Sequence, residues 1–359
     1  MNAELPPMDV IRLGRVEYDD GLVMQESLAA AVFAGNAPDT LLLLELDPVI
    51  TLGRGAKAAN VLFTPEELSA RGVAVHETGR GGDVTWHGPG QLVGYPIVNL
   101  GRTRETKDVR KFVRSLEEIL VRVCAGHSIT AERDPANTGV WVGKDKIAAI
   151  GVRISKWVSS HGFALNVSPD LSYFDLIVPC GITGRGVTSL AEQRRGDVAI
   201  DAVQDEIVTH ATAVFGRGLV ARDVDQVTIA VAIRRRDRFL VLRRVPARGG
   251  FRQIVTGRME PGETPAQAAV RELREETGLE VPVRPLGYEH GFALETQAPS
   301  RPMLGREVCF LADVPPGGEA RLSHEHDELE WLPLDDALAA VKHSGHRRAL
   351  KLAAAAAFR

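Results

Sequence analysis

The sequence contains little cysteine, few aromatic residues and no long uninterrupted apolar run. Its three cysteines, Cys124, Cys180 and Cys309, are widely spaced and odd in number, which argues against a disulfide framework and favours a reducing cytoplasm. The most apolar run, residues 41–52, is interrupted by acidic residues and a proline. Residues 1–7 have neither the basic segment nor the apolar segment of a secretion signal. We therefore expect a cytoplasmic protein that does not span a membrane.

A strong charge of either sign is also absent, because 43 Lys and Arg stand against 47 Asp and Glu. The net charge of −4 provides no basic field for nucleic acid or anionic lipid, so we expect neither as a partner. The 359 residues are too many for one ordinary hydrophobic core and suit two domains. The pattern turns polar near residues 221–226 and an apolar strand begins at Val227, so we expect domains of residues 1–222 and 223–359.

Apolar periodicity predicts an α/β (α+β) fold for both domains. Helical spacing is found at residues 106–124 and 199–215, and strand-like runs are found at residues 41–53, 91–100, 138–142, 146–154, 161–167, 227–233, 239–242 and 306–314. Glycine-rich residues 80–91 are predicted to be a loop between strands, and arginine-rich residues 234–238 a solvated hairpin tip. Cys124 and Cys309 fall within a predicted helix and strand, so we expect both to be core residues.

Cys180 has a different setting, because it lies between Pro179 and Gly181 in a predicted loop. A cysteine attacks a thioester only as the thiolate, and a free thiol with a pKa of about 8.5 is mostly protonated at neutral pH. A lysine nearby would stabilise the thiolate and could take up and return its proton. Lys146, in the segment KIAAIG, is our candidate for that role, and the pair predicts acyl transfer through a thioester.

The segment RGGDVTWHGPGQ, residues 80–91, supplies the third part of this site. Its glycines allow the backbone to approach a ligand closely, and peptide N–H groups near Gly151 or Gly162 could bind a developing oxyanion. His87 taken alone is more typical of an ordinary hydrogen-bonding histidine than of a reacting one.

In order along the chain, residues 80–100, KIAAIG, HGFALN at 161–166 and PCGI at 179–182 resemble the octanoyltransferases of lipoate biosynthesis. The resemblance covers roughly residues 10–215 and implies a fold like the catalytic domain of biotin and lipoate protein ligases. It implies that octanoyl passes from octanoyl-acyl carrier protein to Cys180, whose pKa Lys146 lowers, with no cofactor. The acceptor would be a lysine of a lipoyl domain, in 2-oxoacid dehydrogenase complexes or the glycine cleavage H protein. One departure is that Leu46 follows Glu45 where the family commonly has histidine.

The same resemblance implies that three segments line the acyl pocket. The implied lining residues are Arg80, Gly81, Gly82, Asp83, Val84, Thr85, Trp86, His87, Ala149, Ile150, Gly151, Gly162, Phe163 and Ala164. A rival interpretation of this domain is an ATP-dependent lipoate or octanoate ligase, which forms an acyl-adenylate and needs no cysteine nucleophile. Cys180 in its Pro-Cys-Gly setting favours the transferase.

A second signature begins about 80 residues further on. The fixed positions of the Nudix box are matched by Gly257, Glu263 and the run RELREETG from Arg271 to Gly278. This resemblance implies a Nudix α/β/α sandwich with a mixed sheet. Thr264 with Gln267 forms a predicted capping box, Pro265 suits the first turn and Gly278 the end, so we expect a helix over residues 265–277.

On this helix three carboxylates, those of Glu272, Glu275 and Glu276, lie on one face and would repel each other without a cation. The oxygen donors predict a hard divalent cation, and we expect Mg²⁺. The ion would polarise a diphosphate for attack by water. Short further matches resemble dihydroneopterin triphosphate pyrophosphatase and imply Glu325 as a metal ligand, with Arg243 and Thr256 near the phosphates of a nucleoside or pterin triphosphate. The alternative is a non-catalytic module that senses a nucleotide.

Overall fold

The computed structural model of the protein describes residues 5–178, 184–294 and 301–357. The chain divides into two compact units, Met1–Asp223 with Ala293–Met303, and Val224–Phe292 with Leu304–Arg359. Among the helices of the described ranges, none combines the length and the apolar character needed to cross a bilayer.

The first unit contains eleven of the strands and five of the helices. In chain order these are β1 (Met8–Val16), α1 (Tyr18–Ala34), β2 (Thr40–Leu46), β3 (Val49–Leu52), α2 (Pro65–Ala70), β4 (Ala74–Glu77), β5 (Val84–His87), β6 (Gln91–Ile97), α3 (Val109–Gly126), β7 (Glu132–Arg133), β8 (Val140–Val142), β9 (Asp145–Ser155), β10 (Val158–Asn166), α4 (Leu190–Arg194), α5 (Ile200–Phe215) and β11 (Leu219–Arg222). Short 3₁₀ turns lie at Ala58–Asn60 and Leu171–Leu176.

A mixed sheet forms the frame of this unit, with strand order β11-β1-β2-β6-β10-β9-β8-β7. Parallel pairs join β1 to β2 and β11, and the pairs from β2 to β7 are antiparallel. Alternate residues of the strands, such as Leu41 and Leu43, pack against Leu116 and Leu120 of α3 and Val203 of α5. Burial of this apolar face provides most of the driving force for the fold.

A second, three-stranded sheet of order β4-β3-β5 holds the glycine-rich segment. The prediction of one strand over residues 41–53 is wrong, since Asp47 and Pro48 separate β2 and β3, which join different sheets. The prediction of a loop over residues 80–91 is wrong in part. Val84 to His87 form β5, because β-branched and aromatic side chains suit a strand.

The second unit contains the remaining elements. These are β12 (Gln226–Arg235), β13 (Arg238–Arg244), β14 (Arg252–Gln253), β15 (Val255–Arg258), α6 (Pro265–Thr277), β16 (Val283–Leu294), β17 (Met303–Asp313), β18 (His326–Pro333), α7 (Leu334–Ala340) and α8 (Ser344–Ala355), with a 3₁₀ turn at Pro246–Arg248.

Strand β12 shows how this unit is layered. Ile229, Val231 and Ile233 belong to the apolar cluster that contains Leu273 of α6, whereas Ala230 and Ala232 belong to the cluster that contains α7 and α8 residues. Because neighbouring side chains of a strand point to opposite faces, helices cover the mixed sheet on both sides. This confirms the predicted α/β/α sandwich.

The basic turn of the β12–β13 hairpin is more buried at one end than predicted. Arg234 is 5% exposed and donates to Asp313 at 2.7 Å and to the carbonyl of Ala353 at 2.7 Å. Its guanidinium joins the sheet to the end of α8, which a count of charges in the sequence does not indicate.

Candidate active sites

The first unit contains a cavity of about 270 Å³. Residues of both sheets line it, such as Val84 of β5 and Ala149 of β9. Thirteen of the residues named from the sequence line it, namely Arg80, Gly82, Asp83, Val84, Thr85, His87, Lys146, Ala149, Ile150, Gly151, Gly162, Phe163 and Ala164. Of the other residues named for this site, Gly81 and Trp86 are not among the lining residues. The N–H of Gly81 donates to the carbonyl of Val152, and the side chain of Trp86 is buried against Tyr173 and Phe174.

Several lining residues were not singled out from the sequence. They include Tyr18, Thr51, Tyr95, Asn137, Thr138 and His161. Most come from elements that carry no recognisable motif, and only sheet pairing brings them to the cavity. His161 alone had a usable signal, since it precedes Gly162 in the segment HGFALN.

Arg80 fastens the glycine-rich segment to β3. It is 8% exposed, and it donates to the carbonyl of Thr51 at 2.6 Å and to the carbonyl of Asp83 at 2.8 Å. The approach is close, because a Cβ on Gly53 would lie 2.4 Å from the carbonyl oxygen of Gly82. Arg80 therefore shapes the cavity wall and places a positive charge in it.

His87 lies in a chain of buried hydrogen bonds. Its Nδ1 is 2.6 Å from Gln91 Oε1, Gln91 Nε2 donates to Asn166 Oδ1 at 2.9 Å, and Asn166 Nδ2 donates to the carbonyl of Thr188 at 2.9 Å. Burial, followed by the charge of Arg80, lowers the pKa of His87 to about 4. The ring is therefore neutral near pH 7, and it links the glycine-rich segment to the chain after Cys180.

A second neutral histidine lies on the same cavity. His161 has a φ of 55°, and its backbone N–H donates to Gln25 Oε1 at 2.6 Å. Burial, followed by the charges of Arg80 and Arg153, lowers its pKa to about 4. A positive φ at this bulky residue is costly, so Gln25 of α1 holds the strand in a conformation that turns His161 toward the cavity.

Lys146 contributes an amine to the cavity wall. The residue is 9% exposed, and its Nζ lies 4.7 Å from the ring centroid of Trp141. Its backbone N–H donates to the carbonyl of Gly186 at 3.0 Å, and its carbonyl accepts from the N–H of Thr188 at 3.0 Å. The chain that follows Cys180 is thus bound to the backbone of Lys146.

Cys180 itself, with Pro179 and residues 181–183, lies outside the described residues. On the side before it, the N–H of Val178 donates to the carbonyl of Asn60 at 2.8 Å, and Asn60 Nδ2 donates to Asp83 Oδ2 at 2.9 Å. The flank before Cys180 is therefore joined to Asp83 of the cavity wall through Asn60, and the flank after it is bonded directly to the backbone of Lys146.

A second candidate site lies at α6 in the second unit. The helix has the bounds predicted from the sequence, and Thr264 and Gln267 form the predicted capping box. Gly278 ends it with a φ of 69°, a left-handed conformation that glycine adopts without strain. Arg271 Nε and Nη2 donate to both carboxylate oxygens of Glu263, at 2.8 and 3.0 Å. This pair lowers the pKa of Glu263 to about 2 and fixes the loop before the helix.

Three carboxylates converge in this site. Burial, followed by the charges of Glu272 and Glu325, raises the pKa of Glu276 to about 8. Glu275 extends the set toward solvent and accepts from Arg271 at 3.1 Å. Gly257 makes room for the group, because a Cβ there would lie 1.8 Å from Glu272 Cδ.

The donor set fits a hard divalent cation. Glu276 Oε2 is buried and has no hydrogen-bond partner among the described residues, so the site leaves a carboxylate oxygen available for a ligand. Carboxylate oxygens are the donors that Mg²⁺ prefers. Glu272, Glu276 and Glu325, with Glu275 at the edge, are the residues that could hold the ion.

The structure separates the two neighbouring arginines of β13. Arg243 pairs with Asp327 at 2.7 Å and with Glu328 at 3.3 Å, whereas Arg244 contacts Glu325 at 3.4 Å. Thr256 donates a backbone hydrogen bond to Glu276. Of the two residues singled out from the sequence, Thr256 therefore lies beside Glu276, whereas Arg243 is paired with Asp327 and Glu328. The neighbouring Arg244, which was not singled out, contacts the site through Glu325.

Comparisons with known proteins assign both halves of the chain. Residues 17–212 match the model of the lipoyl protein ligase A/B catalytic domain, and residues 224–353 match that of the NUDIX domain. An octanoyltransferase of Myxococcus xanthus is 45% identical over 356 residues, which cover 96% of this chain and 99% of that protein. An octanoyltransferase of Solibacter usitatus is 50% identical over 206 residues, which cover 57% of this chain and 90% of that protein.

Among solved structures, the dihydroneopterin triphosphate pyrophosphohydrolase of E. coli aligns with 36% of this chain and 94% of its own, at 28% identity and a TM-score of 0.32. The match to the Myxococcus protein extends across both domains. The chain therefore belongs to the octanoyltransferase family, with a lipoyl protein ligase A/B catalytic domain followed by a NUDIX domain.

Proposed function

We propose that the first unit transfers octanoyl from octanoyl-acyl carrier protein, through a thioester on Cys180, to a lysine of a lipoyl domain. The supporting observation is the cavity wall formed by Lys146 and the glycine-rich segment. The chain before Cys180 is joined to Asp83 of that wall through Asn60, and the chain after Cys180 is bonded to the backbone of Lys146.

In the first step the Cys180 thiol loses its proton to Lys146, and the thiolate attacks the octanoyl carbonyl. The bond from the carbonyl carbon to the carrier's sulfur breaks, and the carrier thiolate takes a proton from the Lys146 ammonium. The positive charges of Lys146 and Arg80 favour the thiolate over the thiol. Because the rings of His87 and His161 stay neutral, we assign the proton exchange with Cys180 to Lys146.

In the second step the amine of the acceptor lysine attacks the Cys180 thioester. The carbon–sulfur bond breaks, the amide forms, and the amine proton returns to the Cys180 sulfur by way of Lys146. Apolar wall residues such as Ile150 and Phe163 suit an eight-carbon acyl chain. Acceptors of this chemistry are lipoyl domains of 2-oxoacid dehydrogenase complexes and the glycine cleavage H protein.

The test is octanoylation of an apo-lipoyl domain by octanoyl-acyl carrier protein, followed by mass spectrometry with and without ATP. We expect transfer without ATP, its loss in Cys180→Ser and its retention in Cys124→Ser, since Cys124 is buried in α3. Transfer of free octanoate that requires ATP would instead identify a ligase. Transfer by Cys180→Ser at the normal rate would refute the thioester.

For the second unit we propose Mg²⁺-dependent hydrolysis of a nucleoside or pterin triphosphate to the monophosphate and pyrophosphate. The supporting observation is the convergence of Glu272, Glu276 and Glu325, with a buried carboxylate oxygen on Glu276 that no described residue bonds. When bound, Mg²⁺ supplies Lewis-acid activation of a phosphoryl oxygen. Arg271 orients Glu272 at 2.8 Å, and Arg244 places a positive charge beside the carboxylates.

The test of this activity is a screen of nucleoside and pterin triphosphates with the full chain and Mg²⁺, measuring pyrophosphate. Release that Glu276→Gln abolishes would establish catalysis, and tight binding of a nucleotide without release would favour the sensing module. We place the boundary between the two activities at residues 222–223, so Cys180→Ser leaves hydrolysis unchanged and Glu276→Gln leaves octanoyl transfer unchanged.

A further inference from the structure

A cluster of buried ligand-type side chains lies on the other side of the second unit's sheet from α6. Glu307 and Cys309 are two residues apart on β17, so both side chains point to one face. Cys309 belongs to the apolar cluster that contains Ala349 and Leu350 of α8, whereas its neighbour Phe310 belongs to the cluster of α6. The Nudix carboxylates of α6 are therefore on the opposite face.

Two histidines converge on the same carboxylate oxygen. His290 Nε2 from β16 lies 3.0 Å from Glu307 Oε2, and His346 Nε2 from α8 lies 3.1 Å from it. Thr228 Oγ1 donates to the other oxygen, Glu307 Oε1, at 3.2 Å. One ligand atom of each of His290, Glu307 and Cys309 lies within 4.8 Å of the others.

The first turn of α8 is shaped for this close approach. A Cβ on residue 345 would lie 2.0 Å from His290 Nε2, so glycine at this position lets the helix backbone reach the imidazole. His346, the next residue, then brings its ring to Glu307 from the helix side. Strands β16 and β17 thus supply three clustered ligand atoms, and helix α8 brings a second imidazole to within 3.1 Å of Glu307.

We propose that His290, His346, Glu307 and Cys309 form a closed structural site for Zn²⁺. Four-coordinate zinc is bound by imidazole, carboxylate and thiolate, and zinc–nitrogen bonds of about 2.0–2.1 Å place tetrahedral ligand atoms roughly 3.3 Å apart. The two nitrogen–oxygen distances of 3.0 and 3.1 Å are close to that spacing. The thiol and the two imidazoles exclude a Mg²⁺ site, because that ion prefers oxygen donors.

Charge balance supports the same ion. All four residues are 6% exposed or less, and a buried carboxylate without a compensating cation is costly. A Zn²⁺ ion with one carboxylate, one thiolate and two neutral imidazoles is electrically neutral.

The test uses the full-length protein expressed with zinc, dialysed against a weak chelator and measured by inductively coupled plasma mass spectrometry. We expect one zinc per chain, reduced at least tenfold in Cys309→Ser and His346→Gln. As a second readout, protein refolded with Co²⁺ should show the near-ultraviolet thiolate-to-cobalt band and the strong visible bands of a tetrahedral site.

Three control variants identify the source of the metal signal. Cys180→Ser and Cys124→Ser should keep both the zinc and the cobalt band, because those thiols belong to the first unit, and Glu276→Gln should also keep both. Wild-type protein that carries no zinc and shows no thiolate band overturns the proposal, as does a band that survives Cys309→Ser. The cluster would then be a hydrogen-bonded carboxylate with two histidines and no metal function.

Discussion

Glu45 on β2 accepts a hydrogen bond of 2.7 Å from the backbone N–H of Gly90, in the turn between β5 and β6. Gly90 has a φ of 84°, and its carbonyl accepts from the N–H groups of Val167 and Ser168, at 3.1 and 2.9 Å. One carboxylate therefore connects the main sheet, the glycine-rich turn and the end of β10. His87 and Gln91 stand on either side of this turn, so its position sets theirs.

Glu45→Ala should destabilise the first unit and lower octanoyl transfer. A hydrogen bond to a charged group contributes about 1.5–3 kcal/mol, and the freed Gly90 N–H loses its partner. Tryptophan fluorescence during denaturant unfolding measures the change in a Trp331→Phe background, because the remaining tryptophans, Trp86, Trp141 and Trp157, all lie in the first unit. An unchanged unfolding midpoint would show that the bond has no structural role.

Gly257→Ala should abolish hydrolysis while the fold is retained. The new Cβ would lie 1.8 Å from Glu272 Cδ, and the carboxylate can move away because it ends a flexible side chain. We expect a loss of about 100-fold or more in pyrophosphate release, as expected for displaced catalytic groups, with normal octanoyl transfer. Val270→Ala is the matched control, since Val270 is 47% exposed on the same helix. Full hydrolysis by Gly257→Ala would exclude Glu272 from the site.

The stability of the first unit should fall as the pH falls from 6.5 towards 4. Burial lowers the pKa of His87 from 6.5 to about 4, so in this window the unfolded chain binds a proton that the folded chain does not. The contribution is fully present above pH 6.5 and amounts to about 3 kcal/mol at most, from 1.36 kcal/mol for each unit of pKa shift. Unfolding in the Trp331→Phe background at several pH values measures it. His161 has a similarly lowered pKa, so His87→Gln should remove about half of the dependence, and an unchanged slope would contradict the assignment.

Glu276→Gln should abolish hydrolysis and raise the melting temperature of the Mg²⁺-free protein. Burial, followed by the charges of Glu272 and Glu325, raises the pKa of Glu276 to about 8, so near pH 7 the Mg²⁺-free protein must take up a proton to fold, and the neutral amide removes that cost. Calorimetry with EDTA and with Mg²⁺ measures the effect. We expect Mg²⁺ to stabilise the wild type and to have little effect on the variant. A variant that is less stable than the wild type without Mg²⁺ would mean that Glu276 is a structural residue.

The sequence predicted those parts of both sites that depend on short-range patterns. The bounds of α6 follow from Thr264, Gln267 and Gly278, which act within one or two helical turns. Thirteen cavity residues were likewise found from three motifs, because each motif is continuous along the chain. The burial of Cys124 and Cys309 was also predicted correctly from their apolar settings.

Contacts between distant residues could not be predicted in this way. Gln25 meets His161 across 136 residues and Glu45 meets Gly90 across 45, and neither pair has a signature in the sequence. The break between β2 and β3 was missed although Asp47 and Pro48 interrupt the apolar run, because a short polar interruption does not indicate that the two halves join different sheets. The cluster around Glu307 combines two strands and a helix, so no spacing of residues indicates it.

Intact-mass spectrometry of the full-length protein mixed with octanoyl-acyl carrier protein, without ATP, tests the thioester most directly. We expect one octanoyl adduct that is released by hydroxylamine, persists in Cys124→Ser and is absent from Cys180→Ser. Lys146→Ala should form it at least tenfold more slowly, because the thiolate loses its cation and its proton acceptor. An adduct of the same mass on Cys180→Ser would contradict the account.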